Sequence, residues 1–90
     1  MEEIAGPRVV LRAPLSELCG GREHRFDASS VGEAIQALEH AHPAIAGWIL
    51  DEQGRIREHV NVYVNREPAR ESDPVGPTDL VQVLPSITGG

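Results

Sequence analysis

The sequence contains no lysine. All eight basic residues are arginines, so no ε-amine is available to link copies of the chain to one another. Aromatic residues are scarce: one phenylalanine (Phe26), one tyrosine (Tyr63) and one tryptophan (Trp48). A core must therefore be built from valine, isoleucine, leucine and alanine. A single cysteine, Cys19, excludes a disulfide framework within these residues. No apolar run approaches the roughly 20 residues needed to cross a bilayer. The Met1-Glu2-Glu3-Ile4 start lacks the basic and apolar stretches of a signal peptide. These absences favour the cytoplasm and a chain without a membrane partner.

Charge of one sign is also short. The formal net charge is −6, from 14 acidic and 8 basic residues. Such a surface repels phosphate backbones, which argues against nucleic acid as a partner. It would suit a basic protein surface, although plain solubility accounts for it more simply. Ninety residues suffice for one domain with a small core. A stability of about 5–13 kcal/mol follows from the usual range per residue. That size favours a module acting with a partner over a self-sufficient enzyme.

Arg8-Val9-Val10-Leu11-Arg12 reads as a strand with Val9 and Leu11 on one face, stopped by Pro14. A polar loop with Cys19-Gly20-Gly21 follows. Glu23 to Asp27 alternates and reads as the second arm of a hairpin. Ser30-Val31-Gly32-Glu33 is a capping box. Val31, Ala34, Ile35, Leu38 and Ala41 then recur at helical spacing. Pro43 forces His42 out of α geometry, so the helix is predicted over about residues 31–41.

Ala44 to Glu58 reads as a loop with a short helical or extended piece. His59 to Asn65 alternates strictly, with Val60, Val62 and Val64 on one side and Asn61, Tyr63 and Asn65 on the other. It is the clearest strand. Asn65-Arg66-Glu67 turns the chain, and Pro68, Pro74 and Pro77 mark a loop. Leu80 to Leu84 is a last strand, stopped by Pro85. The order predicts an α+β fold: one mixed sheet of four to five strands, one main helix packed across it, and the first and last strands parallel at the centre, as in a β-grasp.

The alternating Val60–Asn65 strand, the Val81-Gln82-Val83-Leu84-Pro85 strand and the final Gly89-Gly90 resemble the ubiquitin-like sulfur carriers. That family includes the small subunit of molybdopterin synthase and the thiamine-pathway carrier. The strongest likeness is to the carrier of actinobacterial cysteine biosynthesis. It covers most of the chain from Ser30 onward. The sequence departs from the family at Pro77-Thr78-Asp79, where an Asp-Gly-Asp turn is common, and in a short, proline-rich segment between Asn65 and Leu80.

The resemblance implies a β-grasp domain over residues 1–85 and a flexible tail over 86–90. It implies that the carboxylate of Gly90 is adenylated by a partner and converted to a thiocarboxylate. Gly89 and Thr88 would thread the partner's channel, where side-chain-free residues fit best. Leu84 and Ile87 would help dock it. The chain would then be a co-substrate, not an enzyme, and would carry no cofactor or metal of its own. Its partners would be an adenylyltransferase resembling ubiquitin-activating enzymes, which binds ATP, and a sulfur-accepting synthase. For cysteine that synthase would be a pyridoxal-phosphate-dependent sulfhydrylase, with a metalloprotease releasing the product. The same tail suits a protein modifier joined through Gly90 to lysines of other proteins. A binding domain with no covalent role is the third reading.

Other reactive side chains form no recognised pattern. Cys19 lies in the predicted loop, where it could be exposed, yet no CxxC or histidine pair accompanies it, and it reads as incidental. His40 and His42 are two apart and share no helical face. His24 and His59 read as strand residues, and Asp51-Glu52 as a solvated turn.

Overall fold

The fold is seen in a computed structural model of the protein, which describes residues 6–85. Five strands form one mixed sheet: β1 (Arg8–Leu11), β2 (Glu23–Arg25), β3 (Val60–Val64), β4 (Glu67–Pro68) and β5 (Leu80–Pro85). Their order across the sheet is β2-β1-β5-β3-β4. The central pair, β1 and β5, is parallel, with Val9 beside Val81 and Leu11 beside Val83. The other pairings are antiparallel. The β-grasp architecture expected from the sequence is therefore present.

Alternation decides what each strand buries. Val9, Leu11, Val60, Val62, Val81 and Val83 lie on one face and are buried. They meet Val31, Ala34, Ile35 and Leu38 of the main helix, α2 (Val31–Ala41). Each such aliphatic side chain contributes about 1.5–3 kcal/mol when fully removed from water. Among the described residues, no charged or polar side chain is fully buried. The core is aliphatic, as the shortage of aromatics requires.

The helix begins where the capping box predicts. The Ser30 hydroxyl accepts from the Glu33 N–H at 3.2 Å. The Glu33 carboxylate reaches back one residue further than Ser30, accepting from the Ser29 N–H at 2.8 Å. The proline-rich loop satisfies two more free donors of the first turn. The Val31 N–H donates to the Asp73 carbonyl and the Gly32 N–H to that of Glu71. His42 caps the far end and Pro43 opens a 3₁₀ turn, Pro43–Ile45.

Several local readings are corrected. Residues Leu15–Leu18 form a one-turn helix, α1, within the stretch read as a polar loop. Cys19 closes it and is buried, at 4% exposure, so the expectation of an exposed cysteine fails. Leu15 enters the core and carries the turn with it. His59 lies in the turn before β3, not in the strand. Pro85 does not stop β5 but is its last residue, opposite Val60. Proline is tolerated at the end of a strand, where its missing N–H need not be paired.

Candidate functional site

Because β1 and β5 run in parallel, both end at the same edge of the domain. β5 continues past the last β1 partner to Pro85, with Leu84 opposite Asn61 and Pro85 opposite Val60. The segment 86–90 leaves from this point. Of the residues predicted for the site, Leu84 is described; Ile87, Thr88, Gly89 and Gly90 lie outside the described residues, as does the predicted tail as a whole.

Leu84 alternates with buried Val83, so its side chain lies on the face opposite the core. Val10, Gln82 and Tyr63 form a row on the same face, set by the registers of β1, β5 and β3. All are half-buried. A sheet face of this kind, part aliphatic and part polar, can cover a flat protein surface without exposing a large apolar patch to water.

The other candidates are not brought to this edge as a reactive group. Burial pushes the Cys19 thiol up, the opposite of what a reactive thiolate needs. Among the described residues, no three His, Cys, Asp or Glu side chains are grouped as a metal site. His24 and His42 do meet, with ring centroids 5.0 Å apart in an edge-on arrangement. His24 Nε2 donates to the Gly21 carbonyl at 3.0 Å. Asp51 is a turn residue, as read: its carboxylate accepts from the N–H groups of Arg55 and Gln53. Those bonds, led by that from Arg55, hold it below the usual carboxylate range.

Two features escaped sequence reasoning. Glu39, on the polar side of α2, accepts from the N–H groups of Gly47, Ile49 and Leu50 at 3.3, 3.0 and 3.0 Å. It fixes a loop in which Ile49 and Leu50 are buried while Trp48 is 46% exposed. A lone glutamate at a helical position gives no signal for this. The second is Arg12, which follows Leu11, the partner of Val83, and so lies at the end of the sheet where β5 also ends. Only the parallel pairing of first and last strands reveals it.

A family model described as the ThiS family matches residues 9–90. The small archaeal modifier protein 1 of Haloferax volcanii is 34% identical over 83 residues, covering 89% of this chain and 95% of that protein. A crystal structure of that modifier protein superposes with a TM-score of 0.81 at 32% identity, over 92% of this chain and 97% of the other. A chain in the crystal structure of the Amycolatopsis orientalis BexX/CysO complex superposes with a TM-score of 0.82 at 26% identity, over 94% of this chain and all of that one. Among the described residues, no helix is long and apolar enough to cross a membrane.

Proposed function

Since the chain belongs to the ThiS family of ubiquitin-like sulfur carriers, we propose that it delivers the carboxylate of Gly90 to a partner adenylyltransferase and leaves as a thiocarboxylate. The carboxylate oxygen attacks the α-phosphate of ATP held by the partner, and pyrophosphate departs. A sulfide equivalent then attacks the acyl carbon and AMP departs. The chain contributes no catalytic side chain to either step. It contributes position: Leu84 and the open sheet face dock, Ile87 extends that contact, and Thr88 and Gly89 pass through the channel. A side chain at residue 90 would stand against the reacting carbon, where small displacements are costly.

The observation that carries this reading is the family match, which runs through Gly89 and Gly90. The BexX/CysO complex, in which a chain of this fold is bound to a second protein, supports a protein as the next partner, which we take to be a sulfur-accepting synthase. A pyridoxal-phosphate-dependent sulfhydrylase with a releasing metalloprotease is the form this takes if the product is cysteine. ATP and pyridoxal phosphate would belong to those partners.

One observation favours a second reading. The Haloferax volcanii relative is named a modifier protein, and the same activated carboxylate can be attacked by a deprotonated lysine amine, with AMP departing.

Pyrophosphate exchange tests the shared first step. With the adenylyltransferase of the source organism, the full chain should support ATP–pyrophosphate exchange, and a chain lacking Gly89 and Gly90 should not. Equal exchange with both would contradict the proposal and favour a non-covalent binding domain. Isopeptide-linked Gly90 in cell extracts would select the modifier reading.

A further inference from the structure

The arginines are not spread evenly. Residues 8–25 hold four arginines against two glutamates, whereas residues 26–85 hold four arginines against ten carboxylates. The net charge of −6 therefore hides a basic edge, formed by β1, β2 and the turn between them. Two of its arginines are engaged: Arg8 pairs with Glu23 at 2.9 Å, and Arg25 donates to the Gly6 carbonyl at 3.1 Å. Arg12 and Arg22 enter no ion pair among the described residues. Both are exposed.

The fold brings these two together. The Leu11 N–H donates to the Arg22 carbonyl at 2.7 Å, which sets Arg22 across from Leu11. Arg12 is the next residue along the chain. Both, with Ser16 of α1, line one groove of about 320 Å³. Leu11 is also the partner of Val83 in the parallel pair, so this groove lies on the β2 side of β1, at the end of the sheet where β5 also ends. Two guanidinium groups and a hydroxyl are all donors, and a guanidinium can hold a carboxylate through two parallel bonds.

We infer that Arg12, Arg22 and Ser16 form a carboxylate-binding site for an acidic segment of the activating enzyme, flanking the mouth of the channel that receives the tail. The inference rests on the carrier reading above and specifies its docking. The local sign matters more than the net sign. A partner matched to −6 would be basic throughout, whereas this geometry calls for acidic side chains at the tail entrance. Exposed charges of this kind act mainly on the rate of encounter and on register.

The test is pyrophosphate exchange with the adenylyltransferase of the source organism, followed at several salt concentrations. In Arg12→Glu/Arg22→Glu, KM for the carrier should rise roughly tenfold or more with kcat little changed, and the salt dependence of kcat/KM should flatten or invert. Arg12→Lys/Arg22→Lys should recover part of the loss. Arg66→Glu/Arg70→Glu makes the same change in net charge at the β3–β4 side, and should leave KM near the wild-type value. A melting curve for each variant separates misfolding from lost docking; if the double reversal does not fold, Arg12→Gln/Arg22→Gln carries the same expectation at smaller size. Wild-type KM and salt slope in a folded Arg12/Arg22 variant would overturn the inference while leaving the carrier reading standing. Equal losses in the Arg66/Arg70 control would also overturn it, since net charge would then be the cause. Binding of inorganic phosphate to the isolated chain, lost in Arg12→Gln/Arg22→Gln and competing with docking at constant ionic strength, would assign the groove to a small anion and overturn the inference. No exchange with wild type would remove the carrier reading, and this inference with it.

Discussion

Leu84 stands opposite Asn61 in the antiparallel register of β5 and β3, on the face of the sheet turned away from the core. Its neighbour Val83 is buried, so a one-residue step along the strand separates the packed face from the open one, on which docking is proposed. Leu84→Asp should accordingly weaken activation far more than folding. KM for the carrier in pyrophosphate exchange should rise by about tenfold or more, as for an apolar residue central to an interface. The cost in stability should stay near 1 kcal/mol, the usual span for strand substitutions on an open face. Val83→Asp is the contrast: it should fail to fold.

Glu39 gathers three backbone N–H groups from the loop after the 3₁₀ turn. Replacing it with alanine leaves the donors of buried Ile49 and Leu50 without their acceptor. The expected loss is about 2 kcal/mol, a fall in melting midpoint of roughly 10 °C for a domain of this size. Glu39→Gln keeps one acceptor oxygen and should lose less. Equal midpoints for the alanine variant and wild type would show that water replaces the carboxylate without penalty.

Gly6 sits against the segment that follows β2, with no room for a side chain. A Cβ there would lie 1.7 Å from the Phe26 carbonyl oxygen, a backbone atom that cannot turn aside. Gly6→Ala should therefore cost about 1–3 kcal/mol, the scale of overpacking. Urea denaturation would measure it as a lower midpoint at unchanged slope.

Acid should act through Asp79. Its carboxyl is held below the usual carboxylate range, first by the Asn65 side-chain amide and then by the Gly76 N–H. A lowered folded value means that the ionised form is favoured in the folded state. The stabilisation is complete above the unfolded value, about 3.9 for aspartate, and is lost as pH falls through the folded value. Melting midpoints should be level from neutral pH to about pH 5 and decline below about pH 4. Asp79→Asn should decline less steeply over that acid range. An identical acid profile in the variant would assign the decline to other carboxylates.

Much of this fold was legible because its signals are local. Ser30, Glu33 and Pro43 mark both ends of α2, and the Val60–Val64 alternation marks β3 and its buried face. What was missed depended on distant partners. Leu15–Leu18 is too short to show helical periodicity, and it holds its turn because Leu15 and Cys19 enter a core assembled from elsewhere. The turn at Asn65-Arg66 was read, but not its geometry, which requires positive φ at both residues, 50° and 74°. The Asn65 side chain meets that need by bonding Asp79 and the Leu80 N–H, residues that sequence order places far away. At the site, Leu84 was readable from alternation. The approach of Arg12 to Arg22 became visible only once the end of β1 lay beside the start of β2.

The proposed chemistry changes one atom of Gly90, and intact mass reads it directly. The chain is incubated with ATP, the adenylyltransferase of the source organism and a sulfide source, then weighed. The expected result is a gain equal to one oxygen replaced by one sulfur, confined on fragmentation to the peptide that ends in Gly90, and absent without ATP. An unchanged mass under conditions where pyrophosphate exchange proceeds would contradict it, leaving a carboxylate that is activated for something other than sulfur.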